Sequence, residues 1–298
     1  MPRRADVGSV TAGHQRRRGP AQREWQVEQA ERVAVFGVDG VRFDALRRAS
    51  TPHIDAIARR GFLAPVAVWP HAESSSGPGW STIATGVFPD VHGVVDNDLT
   101  PNRFADHPDF LSRAQRLGLT TYAAATWPPL LTKAGGGPVF NAGTTFFADP
   151  EADGGDEFDR ADAVAVADAA ATLGAADVHC AFVYQISPDS VAHYHGTGAG
   201  YRTAIERADA RVGEVLAAIE AREGFRRERW TCLVVTDHGH VDAGGHGGTS
   251  PEECTAWLAG CGPAIEAGRR GEAVHTEVSG LVMAGLGRVG GSGEERER

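Results

Sequence analysis

Three short, largely apolar runs stand out along the chain, Val33 to Val38, Cys180 to Ile186 and Thr231 to Thr236. None alternates between apolar and polar positions. A strand that reads this way is buried on both faces, as in a parallel sheet covered by helices. Between and beyond the runs the period changes. Thr51 to Arg60 reads as a helix with Pro52 in its first turn, and Phe110 to Arg116 as another. The turn-rich stretch Ser74-Ser75-Ser76-Gly77-Pro78-Gly79 opens a helix over Trp80 to Thr85. Thr120 to Ala125 reads as a strand, residues 149 to 157 as an acidic surface loop, and Asp162 to Leu173 as an alanine-rich helix. Ile205, Ala208, Val212, Val215, Leu216 and Ile219 recur at helical spacing and predict an amphipathic helix over 202–222. Strands alternating with helices predict an α/β fold, a central and mostly parallel β-sheet flanked by helices on both faces. The domain reading is a disordered basic tail over 1–30, a single domain over 31–288, and a second tail of glycine and charge over 289–298.

Composition narrows the classes of function. The 298 residues are 42% hydrophobic and 23% charged, ordinary for a globular domain. A formal net charge of −10 argues against a protein that coats nucleic acid. An acidic protein can still take phosphate if metal ions reverse the local field. No apolar run is long enough to span a bilayer, so no membrane partner is expected. Arginines near the N-terminus are not followed by the apolar stretch of a secretory signal, and the chain reads as cytoplasmic. Cys180 and Cys232 read as reduced core residues. Cys254 and Cys261 could pair only in an oxidising compartment.

Each apolar run leads into a carboxylate. The first gives Asp39, the second Asp189 after Ser187-Pro188, and the third Asp237. Ligands of open α/β sheets bind beyond the carboxyl ends of the strands. Three aspartates at that one edge would repel one another unless cations held them. Histidines accompany them: His193 four residues after Asp189, His238 beside Asp237, and His246 within Gly244-Gly245-His246-Gly247-Gly248. Imidazole mixed with carboxylate suits zinc, with manganese or iron as alternatives. Any one of these residues alone reads as a helix cap, a turn or a surface histidine; their joint placement at strand ends makes the metal reading. Ser76 is the nucleophile candidate, placed to cap the following helix where free N–H groups favour an anion. Ser74 and Ser75 remain rivals on the residues alone.

These motifs resemble the alkaline phosphatase superfamily, in particular its nucleotide pyrophosphatase/phosphodiesterase branch. They are Asp39-Gly40, Ser76 ahead of Trp80-Ser81-Thr82-Ile83-Ala84-Thr85-Gly86, Pro89 with His92-Gly93, Ser187-Pro188-Asp189 with His193 and Gly196, Asp237-His238-Gly239, and His246-Gly247. The resemblance implies an alkaline-phosphatase-like sandwich and two divalent metal ions, both zinc, with manganese as the alternative. Asp189, His193 and His246 would hold one ion. Asp39, Asp237 and His238 would hold the other, with Ser76 between that ion and the substrate. Counting back from Thr85-Gly86 in the family pattern selects Ser76 among the serines. Asn97 matches the asparagine that contacts a phosphoryl oxygen in the phosphodiesterase branch. The implied activity is hydrolysis of a small-molecule phosphate ester or nucleotide-like substrate through a covalent phosphoserine. The resemblance fixes no oligomeric state.

The chain departs from the pattern in places. The phosphodiesterase branch commonly carries threonine where Ser76 stands. Lys133 is the single lysine, and monoesterases of the superfamily often add a cation to the phosphoryl oxygens. Lys133 or Arg103 could serve here, though no motif marks either for it. A phosphomonoesterase or phosphonate hydrolase is therefore the alternative on the same site, and a metal-binding protein without catalysis a more distant one. A sulfatase is disfavoured, because Trp80 stands where that pattern needs arginine.

Overall fold

The structure is a computed structural model that describes residues 29–150, 154–269 and 271–287. The proposed tails lie outside the described residues, except that Ala30 already opens the first strand. In chain order the strands are β1 (Ala30–Val38), β2 (Phe62–Ala67), β3 (Thr121–Ala125), β4 (Thr144–Phe147), β5 (Cys180–Gln185), β6 (Glu228–Val235) and β7 (Thr255–Cys261). The α-helices are α1 (Phe43–Leu46), α2 (Pro52–Arg60), α3 (Ser76–Thr85), α4 (Pro89–His92), α5 (Phe110–Arg116), α6 (Pro128–Leu131), α7 (Gly155–Ala175), α8 (Ser187–His195), α9 (Ala199–Glu220), α10 (Pro251–Cys254) and α11 (Glu277–Gly285).

The seven strands form one sheet in the order β2-β7-β6-β1-β5-β3-β4. Only β7 runs against its neighbours, pairing antiparallel with both β6 and β2. The three apolar runs read from the sequence are adjacent at the centre of this sheet, as β6-β1-β5. Alternate residues of β1 divide the core. Val33 and Val35 pack with Trp80 and Ile83 of α3, Phe110 of α5 and Val278 and Val282 of α11. Ala34, Phe36 and Val38 pack on the other face with Ile54 and Ile57 of α2 and the apolar stripes of α7 and α9. Both faces are dry, which is why the central strands carry no polar alternation.

Some expectations change. α3 begins at Ser76 and not at Trp80, so Ser76 is its first helical residue and Ser75 holds the cap position. Gly155 to Glu157, expected in a loop, already belong to α7. All four cysteines are free, and Cys261 stands opposite Cys232 across β6 and β7 rather than beside Cys254. Among the described residues no helix is long and apolar enough to cross a membrane.

Candidate metal and phosphate site

Parallel central strands deliver their carboxyl ends to one edge, and the chemistry gathers there. Asp39 follows β1 directly, and Asp237 follows β6 after Thr236. Asp189 sits in the first turn of α8, just beyond β5. Asp162 of α7 sets that helix start. Its carboxylate accepts from Ile186 N at 3.0 Å, from Ser187 N at 2.8 Å and from Thr126 Oγ1 at 2.8 Å. Asp162 is fully buried, and burial pushes its carboxyl up to about 6. One helical turn then brings His193 Nε2 to 3.5 Å from Asp189 Oδ1.

The two expected ligand sets adjoin, and they overlap: the ligand atoms of Asp189 also group with those of His238 and His246, and with those of His193 and His240. In the first, His238 Nε2 lies 3.5 Å from Asp39 Oδ1 and 3.3 Å from Asp237 Oδ2. In the second, Asp189 Oδ1 lies 3.5 Å from His193 Nε2 and 3.6 Å from His246 Nε2, and the two imidazole nitrogens are 2.9 Å apart. The rings of His238 and His246 stack at 4.0 Å, joining the groups.

Hydrogen bonds fix the histidine tautomers. His246 Nδ1 lies 2.9 Å from the Ser74 carbonyl and His238 Nδ1 lies 2.9 Å from the Gly239 carbonyl. A carbonyl only accepts, so Nδ1 carries the proton in both, and Nε2 offers its lone pair to the site. His240, which the sequence reading passed over, is the reverse. Its Nδ1 accepts from Gly245 N at 3.2 Å, so Nε2 carries the proton. That Nε2 stands 2.9 Å from Asp189 Oδ1, but too far off line for a hydrogen bond. The only signal for His240 was its place in the run Asp237-His238-Gly239-His240.

The site's polar atoms fit a bound cation. Asp189 Oδ1 and Asp237 Oδ2 are buried without a hydrogen-bond partner. Burial, and then the charge of Asp39, holds both carboxyls well above the usual range. Burial lowers His238 far below the usual imidazole value, and burial with the neighbouring rings takes His246 down to about 2. Carboxylates crowded together beside neutral imidazoles are a donor set for hard or borderline divalent ions.

Ser76 Oγ lies 3.4 Å from Asp39 Oδ1 and 3.4 Å from His238 Nε2. Neither rival serine hydroxyl hydrogen-bonds to these ligands. Ser74 Oγ donates to Gly248 O at 2.9 Å and accepts from Gly247 N at 3.0 Å, tying down the loop that carries His246. Ser75 Oγ is buried without a partner. The first turn of α3 presses on the site: a Cβ at Gly79 would come within 2.7 Å of Asp237 Cβ. Asn97 reaches the same turn, its Oδ1 accepting from Gly77 N at 2.7 Å. That bond assigns the amide, leaving the Nδ2 donors to face outward. Arg103 is held away, its Nη2 donating to the Asp90 carbonyl at 2.8 Å, and Lys133 is an exposed residue ahead of a short turn.

A sequence profile described as type I phosphodiesterase / nucleotide pyrophosphatase matches residues 33–257. The chain belongs to that family. An uncharacterized pyrophosphatase/phosphodiesterase of Schizosaccharomyces pombe is 38% identical over 67 residues, which is 22% of this chain and 14% of that relative. Murine ectonucleotide pyrophosphatase / phosphodiesterase 5 superposes with a TM-score of 0.65 at 17% identity, over 87% of this chain and 95% of that one. Phosphonate monoester hydrolase of Agrobacterium radiobacter superposes with a TM-score of 0.62 at 15% identity, over 87% and 74% of the two chains. A putative sulfatase from Bacteroides thetaiotaomicron gives 0.68 at 14% identity, over 89% and 72%. These structural likenesses are of fold, and the fold is the alkaline-phosphatase-like one expected.

Proposed function

We propose that this chain hydrolyses phosphate esters of the diester or nucleotide type, with Ser76 as nucleophile beside two divalent ions, both zinc, with manganese as the alternative. The observation that carries the reading is the position of Ser76 Oγ, 3.4 Å from both Asp39 Oδ1 and His238 Nε2. Asp39, Asp237 and His238 would hold one ion, and Asp189, His193 and His246 the other. Bound there, the ions would lower the pKa of the Ser76 hydroxyl and neutralise phosphoryl charge.

The chain's own groups do the rest. Ser76 Oγ attacks phosphorus in line with the departing ester oxygen, forming a phosphoserine. The Nδ2 donors of Asn97 and the α3 N-terminus stabilise the non-bridging oxygens. A water molecule then attacks the phosphoserine and frees Ser76. Murine ectonucleotide pyrophosphatase / phosphodiesterase 5 has been solved as an inactive variant in complex with AMP, which supports a nucleotide-like substrate. With Arg103 held by Asp90, no arginine is supplied from that loop for the extra charge of a dianionic monoester.

The test is kcat/KM for p-nitrophenyl phosphate, bis-p-nitrophenyl phosphate and a nucleotide p-nitrophenyl ester at matched pH and metal. A diester or nucleotide ester should lead. A monoester advantage of about a hundredfold, roughly 2.7 kcal/mol of discrimination, would overturn the preference and favour the monoesterase alternative with Lys133 as its cation.

A further inference from the structure

The two oxygens of Asp39 live in different surroundings. Oδ1 faces Ser76 Oγ and His238 Nε2. Oδ2 points the other way and accepts two hydrogen bonds, from Trp80 Nε1 at 2.9 Å and from the Tyr184 hydroxyl. Asp39, Trp80 and Tyr184 are all fully buried. Trp80 belongs to α3 and Tyr184 to β5.

The chain is shaped around this arrangement. Tyr184 stands in register with Gly37 on the neighbouring strand, two residues before Asp39. Trp80 lies over Gly37, where an added Cβ would meet its ring at 2.7 Å. The Trp80 and Tyr184 rings meet edge to face, 5.3 Å apart at 83°. Phe182 packs on both, at 5.8 Å from Trp80 and 6.4 Å from Tyr184. Neither donor can swing to another acceptor without breaking this packing.

We infer that Trp80 and Tyr184 form a donor clamp that saturates Asp39 Oδ2 and commits Oδ1 to the cation beside Ser76. They are positioning residues, acting on the reaction only through Asp39. A ligand carboxylate fixed in this way loses less freedom on binding an ion, and outer hydrogen bonds of this kind are worth about 10–100-fold in metal affinity. The inference rests on the two-metal reading above.

The test is zinc titration of the metal-free protein against a chromophoric chelator, for wild type, Asp39→Asn, Tyr184→Phe and Trp80→Phe. Tyr184→Phe keeps the ring and removes only the hydroxyl, so it carries the test even if Trp80→Phe fails to fold. The wild type should bind two ions, and Asp39→Asn should lose one. Tyr184→Phe should weaken that same ion about 10–100-fold and leave the other at wild-type affinity, with kcat falling more than KM rises. A structural role alone would lower the melting temperature of the metal-free protein without separating the two ions. If Asp39→Asn loses an ion while Tyr184→Phe binds both as wild type does, the clamp is refuted and the two-metal reading stands. If the wild type binds fewer than two ions, or Asp39→Asn changes nothing, both fall.

Discussion

The main-chain oxygen of Ser74 lies 2.9 Å from His246 Nδ1, so a residue two places before the proposed nucleophile orients a proposed metal ligand 172 positions away in the chain. The Ser74 hydroxyl reinforces it through Gly247 and Gly248. Three consecutive serines thus have three different surroundings, and substitution should separate them. Ser76→Ala should lower turnover about a thousandfold or more while metal binding persists, because covalent catalysis needs the oxygen itself. Ser74→Ala should weaken the ion at Asp189 about tenfold with a smaller effect on the other. Ser75→Ala should change neither by as much as twofold. Steady-state rates and metal titration on the three variants check the series; a near-normal rate in Ser76→Ala would refute its assignment.

Asn97 offers a finer test. Its Oδ1 is engaged by Gly77 N at 2.7 Å, and its Nδ2 is the donor proposed for the phosphoryl oxygen. Asn97→Asp keeps an acceptor for Gly77 but puts negative charge where a donor stood. It should cost kcat/KM about 100-fold or more, at least as much as Asn97→Ala. If Asn97→Asp keeps wild-type activity, the residue only supports the loop.

Asp162 is a stability prediction. Asp162→Ala leaves the buried amides of Ile186 and Ser187 and the Thr126 hydroxyl without their acceptor. The loss should be about 2–4 kcal/mol, measured by urea unfolding. Because those amides start α8, the ion at Asp189 should weaken as well.

Stability should also fall in mild acid. Burial holds His92 and His275 down to about 4 in the folded chain, against about 6.5 when unfolded. Between these values the unfolded chain binds protons that the folded chain refuses. The stabilisation is therefore complete above about pH 6.5 and is lost as pH falls toward 4, by about 1.4 kcal/mol per pH unit for each ring. The partners are Thr82 Oγ1 for His92, at 3.0 Å, and the Thr236 carbonyl for His275, at 2.9 Å. Urea unfolding of metal-free protein at pH 7.5, 6 and 5 should show the slope flattening by about one proton for His275→Gln, and again on adding His92→Gln. An unchanged slope would contradict the assignment.

The central strands were legible because a strand covered on both faces is mostly apolar, and β1 from Val33, β5 up to Tyr184 and β6 from Cys232 carry buried apolar residues or glycine at every position. The strands the sequence reading missed are the two edges and the antiparallel one. Pro65 interrupts β2, and proline is tolerated there because β2 is an edge strand, met on its outer side only by an isolated bridge in which Ala273 N donates to the Pro65 carbonyl at 2.9 Å. β4 is short and only partly buried. β7 starts immediately after α10, and Ala256, Ala259 and Gly260 thin out its apolar run. In the site, the strand-end aspartates and His193 could be anticipated from spacing. The choice among Ser74, Ser75 and Ser76 could not, since it depends on which hydroxyl the first turn of α3 directs at Asp39. The tautomer that sets His240 apart from His238 and His246 depends on the Gly245 amide, which only the folded loop supplies.

The adjacency of β6, β1 and β5 has a consequence for how the molecule assembles. Gly40 N meets Asp237 across 197 positions of sequence, and Tyr184 meets Asp39 across 145. Contacts of such separation close large loops and are won late in folding, after local helices have formed. A fragment that ends before β6 lacks Asp237 and so cannot complete the carboxylate set. Occupancy by a divalent ion would therefore report the finished sheet, and a chelator added during refolding should leave the early steps untouched while removing only the last gain in stability.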